Sequence, residues 1–322
     1  MSVTAPTRNQ VTARDHVIVA SGVAKHFGAT QVLSDISVGF PTGITGLLGS
    51  NGAGKTTFLS LVLGVERRDG GSLTVLGHDP TEAGPEVRAR IGYSPEHHHL
   101  PDDVQAADFV RHLAQLHGLP HAASTERASD ALWLVGLGEE RFRPIGTMST
   151  GQRQRVKLAA AVAHDPALVL LDEPTDGLDP VQRDAMLELI HRIGSDYGIS
   201  IVMSSHLLEE VERICDHVVI IADGTVRRSG DLAELRGGGS GVIVELDDGH
   251  DVISERLRQR GLAVERQGLR LIVDVAAEAP PDEGWVRDHV RDAVAEAQVG
   301  LRLMTDRTLT LEDVFLQGDD PA

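Results

Sequence analysis

Hydrophobic positions along the chain fall into two registers. Three short runs are almost uninterruptedly apolar: ITGLL (Ile44 to Leu48), ALVLL (Ala167 to Leu171) and ISIVMS (Ile199 to Ser204). Runs of this kind predict strands buried on both faces, as in a parallel sheet covered by helices. Amphipathic stretches at helical spacing separate them, so Val17 to about Leu235 predicts an α/β domain. Each run ends in polar residues, and in open α/β sheets ligands bind beyond the carboxyl ends of the strands. From His97 to Thr147 no strand pattern is visible. DVQAADFVRHLAQLHGL and TERASDALWLVGL predict helices there, a helical insertion into the sheet domain, with Asp102 and Asp103 read as the start of the first.

The pattern changes at GGGSG, Gly237 to Gly241, which predicts a flexible boundary. Beyond it, VIVEL reads as a strand, DVISERLRQRG as a helix, LAVER and LRLIVDV as strands, GWVRDHVRDAVAEA as a helix and GLRLMT as a strand. This β-α-β-β-α-β order is the ferredoxin-like motif. The expected organisation is a flexible tail at residues 1–15, an α/β domain at 16–236 with its insertion at about 97–147, and a small α+β domain at 242–322.

Composition narrows the function classes. The chain has 322 residues and is 41% hydrophobic, enough for two domains with ordinary cores. A formal net charge of -18 argues against nucleic-acid binding, which rests on clustered Lys and Arg, and against direct attraction to anionic lipid. The polar opening MSVTAPTRNQVTARD lacks the apolar core of a signal peptide, and no apolar run approaches the roughly 18 residues of a membrane helix. A cytosolic protein is expected. The single cysteine, Cys215, reads as a packing thiol.

Chemistry concentrates at the three strand ends. GSNGAGKTT, comprising Gly49, Ser50, Asn51, Gly52, Ala53, Gly54, Lys55, Thr56 and Thr57, fits G-x-x-x-x-G-K-[ST] after a buried strand and before a helix. Its glycines let backbone N–H groups turn inward around phosphates, Lys55 can reach the β and γ oxygens, and the Thr56 hydroxyl can ligate Mg²⁺. LVLLDEP ends a second strand in paired carboxylates, with Asp172 placed to hold Mg²⁺ and Glu173 to orient or deprotonate water, a role worth roughly 10²- to 10⁴-fold in rate. IVMSSH ends the third strand at His206, within reach of a γ-phosphate and the attacking water. MSTGQRQRVKLAAAVAHDP opens like a second anion-binding helix but carries no lysine loop of its own.

Taken in order, these residues resemble the nucleotide-binding subunit of ATP-binding cassette (ABC) transporters from about Val17 to Arg228. The resemblance implies a P-loop NTPase cassette in which Gly49 to Thr57 is the Walker A loop, Leu168 to Asp172 the Walker B strand, Glu173 the catalytic glutamate and His206 the switch histidine. Gly177, Leu178 and Asp179 match the D-loop, and Phe27 falls where the family places an aromatic that stacks on adenine. Ser149, Thr150, Gly151 and Gln152 match the signature sequence, which in this family completes the ATP site of a partner subunit. The resemblance therefore implies a homodimer, head to tail, with ATP and Mg²⁺ between one chain's Walker A loop and the other's signature helix.

Two positions depart from the family pattern. Thr150 stands where a second glycine is usual, and Glu96 replaces the Q-loop glutamine, an oxygen ligand for Mg²⁺ or water beside the helical insert. Glu96 resembles an export-type variant, and the ending TLTLEDVFLQ resembles ATPase subunits of drug-type exporters that pair with a separate membrane permease. The expected place is then the inner face of the cell membrane, reached through that permease. A soluble ABC ATPase and an importer subunit stay open as alternatives. His97 to His99 read as loop residues, since adjacent histidines point in different directions.

Overall fold

The computed structural model of the chain describes residues 16–96, 100–237, 241–275 and 284–306. The predicted tail at 1–15, His97 to His99, the centre of the glycine run and TLTLEDVFLQ lie outside the described residues. The chain divides into two compact units, residues 1–232 and 233–322.

In the first unit the three apolar runs become β3 (Ile44–Leu48), β6 (Leu168–Asp172) and β7 (Ser200–Ser205), with every residue buried. They lie side by side at the centre of a six-stranded sheet of order β5-β6-β7-β3-β8-β9. Here β5 is Ile91–Ser94, β8 His217–Ala222 and β9 Thr225–Asp231; all neighbouring pairs are parallel except β8 and β9. Side-by-side parallel strands bring their carboxyl ends to one edge, so GSNGAGKTT, Asp172 and the Ser204 to His206 segment meet there.

The sequence pattern predicts one largely parallel sheet; the fold has a second, antiparallel one. It comprises β1 (His16–Phe27), β2 (Thr30–Pro41) and β4 (Gly70–Val75), in order β2-β1-β4. The reason is local. β1 and β2 are joined across Gly28, at φ 61°, and a connection this short can only form a hairpin. This sheet shares its core with the parallel sheet: Phe40 of β2 stacks on Phe58 of α1 (Lys55–Val62) with ring centroids 5.3 Å apart.

A short helix, α2 (Gly84–Arg88), precedes β5. The inserted segment is mainly helical in its described residues, with α3 (Ala106–Leu116), α4 (His121–Leu134) and two 3₁₀ turns leading to α5 (Thr150–Val162). Asp102 and Asp103 do not begin the first helix. They lie in a turn, because the Asp102 and Val104 carbonyls accept from the Gly146 and Ile145 N–H groups, and α3 starts only after Gln105. α5 packs on α3, α4 and β5, and a Cβ at Gly92 of β5 would stand 1.9 Å from the Ala161 carbonyl oxygen. His117, at the end of α3, stacks on His164, just past α5, with centroids 3.6 Å apart. His164 Nε2 donates to the Ile91 carbonyl at 3.2 Å. Burial, with His117 adding to it, pushes the His164 pKa from the usual 6.5 down to about 4. The unit closes with α6 (Pro180–Tyr197) and α7 (Leu208–Ile214), and Cys215 is buried behind α7, beside Gly46 of β3.

After α8 (Leu232–Gly237), the second unit runs β10 (Val242–Leu246), α9 (His250–Gln259), β11 (Leu262–Gln267), β12 (Arg270–Val275), α10 (Trp285–Ala297) and β13 (Leu301–Asp306). Its sheet order is β11-β12-β10-β13 with every pair antiparallel, the arrangement that two interleaved β-α-β halves produce. Alternate residues Val242, Val244 and Leu246 face a core with Ile253, Leu257, Val290 and Val294 of the two helices.

Gly92→Ala should destabilise the protein by about 1–3 kcal/mol in urea unfolding, because neither backbone can retreat. Gly70→Ala, whose added Cβ meets only the Ala24 methyl at 3.6 Å, should change stability by about 0.5 kcal/mol or less. His164 binds its proton more weakly folded than unfolded, so its contribution is complete above pH 6.5 and is lost as pH falls towards 4. Replacing it with Gln should remove up to roughly 3 kcal/mol of pH dependence in that window, read from unfolding midpoints across a pH series.

Candidate nucleotide site

The loop between β3 and α1 has the backbone that phosphate cradling needs. Gly52 and Gly54 sit at φ 84° and 105°, and a Cβ at Gly54 would stand 2.6 Å from Leu33 Cδ2. The loop is anchored to β7 by the Gly49 N–H, which donates to the Ser205 carbonyl at 3.3 Å. Lys55 opens α1 and is only 6% exposed, and a buried ammonium must find anions or carbonyls. Its Nζ donates to the Gly49 carbonyl at 2.6 Å and lies 3.1 Å from Glu173 Oε1, an ion contact.

Asp172 and Glu173 leave the end of β6 in different directions. Glu173 adopts φ 46°, a left-handed conformation that costs a non-glycine residue roughly 1–2 kcal/mol. The turn brings its carboxylate between two cations or potential cations: Lys55 on Oε1, and His206 on Oε2, where Nδ1 donates at 2.8 Å. Asp172 is 1% exposed. Ser204 Oγ donates to its Oδ1 at 2.6 Å and accepts the Glu173 N–H at 2.9 Å, while Oδ2 has no hydrogen-bond partner among the described residues.

Beside these groups lies a cavity of about 470 Å³ lined by Ser50, Asn51, Gly52, Gly54, Lys55, Thr56, Thr57, Glu96, Glu173 and Val32. Glu96 therefore reaches the glycine loop although about forty residues separate them in sequence. Its backbone is pinned from α5: Lys157 Nζ, nearly buried, donates to the Pro95 and Glu96 carbonyls at 3.2 and 2.9 Å. Burial, and then the charges of Asp172 and Glu96, push the Tyr93 hydroxyl up to about 12.

The remaining sequence-predicted residues stand outside the cavity lining. Phe27 is half-exposed, with the Lys25 ammonium 4.7 Å from its ring centroid. Ser149 caps α5 through a reciprocal box: its Oγ accepts the Gln152 N–H at 3.2 Å, and Gln152 Oε1 accepts the Ser149 N–H at 3.1 Å. Ser149 and Thr150 are exposed. A Cβ at Gly177 would come within 3.7 Å of the Thr150 methyl, so the two segments adjoin, and Asp179 caps α6 by accepting the Gln182 N–H at 2.9 Å.

Sequence reasoning passed over Ser204, Ser205, Glu210 and Lys157. Glu210, on α7 and 2% exposed, accepts from Thr175 Oγ1 and Ser205 Oγ, each at 2.7 Å, with the Arg183 guanidinium 3.4 Å away. The signal available was the pair of hydroxyls at the end of an otherwise apolar buried strand, since a buried hydroxyl requires a partner.

The donors suit Mg²⁺. Thr56 and Asp172 supply hard oxygens, and the partnerless Asp172 Oδ2 is a buried acceptor without a donor. Mg²⁺ keeps several waters and phosphate oxygens rather than taking an all-protein cage. Among the described residues no group of three or more His, Cys, Asp or Glu forms a metal cluster.

Comparison with known proteins gives the same answer as the geometry. The ABC transporter family profile matches residues 33–176. The chain is 32% identical over 315 residues to the Nod factor export ATP-binding protein I of Cupriavidus pinatubonensis, covering 97% of this chain and 93% of that protein. It is 31% identical over 249 residues to the daunorubicin/doxorubicin resistance ATP-binding protein of Streptomyces peucetius, covering 77% and 75% of the two. A solved component of an ABC transporter complex from Clostridium perfringens superimposes with TM-score 0.63 at 25% identity, over 69% of this chain and 91% of that one. With a glycine loop, a lysine and paired carboxylates meeting at one sheet edge, and with relatives aligned along almost its whole length, the chain belongs to the ABC transporter family as an ATP-binding subunit.

Proposed function

We propose that this subunit hydrolyses ATP in a head-to-tail homodimer and thereby drives export through a separate membrane permease. The observation that carries the hydrolytic part is the buried contact of Lys55 with Glu173 at the mouth of the glycine-loop cavity. It puts the one lysine of the loop and the candidate base within 3.1 Å of each other, where phosphate and water must meet.

The same contact defines what nucleotide has to change. While Lys55 lies 3.1 Å from Glu173 Oε1, that oxygen is engaged by the ammonium and is not available to water. Phosphates entering the cavity offer Lys55 a stronger anionic partner, and its departure frees Glu173 Oε1 to take a proton from water. His206 keeps hold of Oε2 and so holds the carboxylate plane, with its other ring nitrogen left to meet the γ-phosphate. Thr56 and Asp172, with Glu96 close by, would hold Mg²⁺, which would supply charge neutralisation to the phosphates. Phe27 offers its free ring face to adenine, stacking that needs only a π surface.

The dimer is supported by the start of α5. Ser149 and Thr150 are exposed at this helix N-terminus, with Gly151 buried beneath them and Gln152 half-exposed, and its positive dipole end is suited to phosphate. A second copy, turned head to tail, supplies the phosphates, and Asp179 beside this segment meets the same interface. Export is favoured by the relatives named for Nod factor export and for drug resistance. A permease partner fits a chain in which no described helix is long and apolar enough to cross a membrane.

Glu173→Gln should bind ATP, lose turnover by roughly 100-fold or more and accumulate as a nucleotide-bound dimer. Light scattering with and without Mg-ATP reads this, and a mutant that stays monomeric or turns over normally would refute it. Lys55→Ala should weaken equilibrium binding of a fluorescent ATP analogue by about tenfold or more, and Ser149→Arg should block the dimer while sparing nucleotide binding by monomers. Glu96→Ala should keep basal hydrolysis but lose stimulation by the co-purifying permease in lipid, because the residue stands between the cavity and the helical insert. Equal stimulation of wild type and mutant would remove Glu96 from the coupling, whereas a wild type that co-purifies with no membrane protein would favour a soluble ATPase.

A further inference from the structure

Ser204 lies directly across from Asp172 in the parallel pairing of β7 with β6, and it is fully buried. Successive strand residues point to opposite faces, so Ser204 turns to the carboxylates while Ser205 turns to Glu210. A hydroxyl has one proton and two lone pairs, and here both functions are used. The proton goes to Asp172 Oδ1 at 2.6 Å, and a lone pair receives the Glu173 N–H at 2.9 Å.

Each bond constrains something hydrolysis needs. The first occupies one oxygen of Asp172 and leaves Oδ2, buried and without a hydrogen-bond partner among the described residues, as the oxygen that can serve a metal. The second holds the peptide of Glu173 at φ 46°, the left-handed turn that swings its carboxylate to Lys55 and His206. One oxygen atom thus sets the spacing between the metal-side and water-side carboxylates.

We infer that Ser204 is a positioning residue for ATP hydrolysis, acting through Asp172 and Glu173 without touching the nucleotide. The inference rests on the hydrolytic reading of this site. Thr and Val at position 204 separate chemistry from shape, since the two are β-branched with nearly the same outline and only Thr keeps the hydroxyl.

The test compares wild type, Ser204→Thr and Ser204→Val in the full chain. Binding of a fluorescent ATP analogue without Mg²⁺ should agree within about twofold in all three, which reports an intact fold and loop. Ser204→Thr should retain kcat within about threefold, whereas Ser204→Val should lose roughly 10- to 100-fold in kcat with the KM for ATP little changed. The Val protein should also need several-fold more Mg²⁺ for half-maximal activity, and its peptide containing Glu173 should exchange amide hydrogens faster in the nucleotide-free state. Equal kcat, Mg²⁺ dependence and exchange in the Thr and Val proteins would overturn the inference, as would a Val protein too unstable to bind the analogue while Thr restores no activity. Wild type that binds ATP but never turns it over would remove the hydrolytic reading beneath it, whereas equal turnover by wild type and Ser204→Val would remove only the role of Ser204.

Discussion

A lysine ammonium buried to 6% exposure and lying 3.1 Å from a carboxylate just past the end of β6 is the interaction on which the rest of this site depends. Removing two charges from water costs several kcal/mol per ion, and a bare pair rarely recovers that. Here the cost is spread. Lys55 also takes the Gly49 carbonyl, and Glu173 also takes His206, so three loops from β3, β6 and β7 share one desolvated network. The network can exist only because the sheet order sets those three strands side by side. The same order explains the strained backbone of Glu173, since an ordinary turn after Asp172 would not carry its carboxylate into the space between Lys55 and His206.

β7 works on both faces of the sheet. Ser204 locks the pair of carboxylates, and one residue later Ser205 locks Glu210, which in turn holds Thr175 in the segment leading to Asp179. The strand end that carries His206 is therefore tied to the nucleotide face and to the α6 and α7 side at once. A further tie comes from α5, whose Lys157 holds the backbone of Pro95 and Glu96 while its first turn presents Ser149 and Thr150 outward. Movement of Glu96 with nucleotide would thus be felt by α5, the helix proposed to meet a second copy, because a buried ammonium cannot release both carbonyls without replacement partners.

Much of this was legible in the sequence. ITGLL, ALVLL and ISIVMS read as buried strands because they are apolar on both faces, and the structure makes them strands to within one residue. GSNGAGKTT read as a glycine loop between a buried strand and a helix, and the structure places it between β3 and α1 with Gly52 and Gly54 at φ 84° and 105°. The helical insert and the β-α-β-β-α-β order of the second unit followed from periodicity. Where reading failed, a long-range partner had decided the outcome. Asp102 and Asp103 have the composition of a helix start, but the Ile145 and Gly146 N–H groups claim the carbonyls there and delay the helix to Ala106. The first two strands alternate like many others, and only the hairpin across Gly28 takes them out of the parallel sheet.

The sequence by itself determined which chemical groups this protein owns and at which element ends they sit, because local periodicity and glycine placement are properties of neighbouring residues. Tertiary structure decided which of those groups meet. Ser204 binds Asp172 across 32 positions and Glu210 binds Thr175 across 35; local pattern can show that a buried hydroxyl needs a partner but not which residue supplies it. Such pairs are chosen by strand order, and strand order follows from how whole layers bury their apolar faces against one another, a collective requirement that no short stretch of sequence expresses.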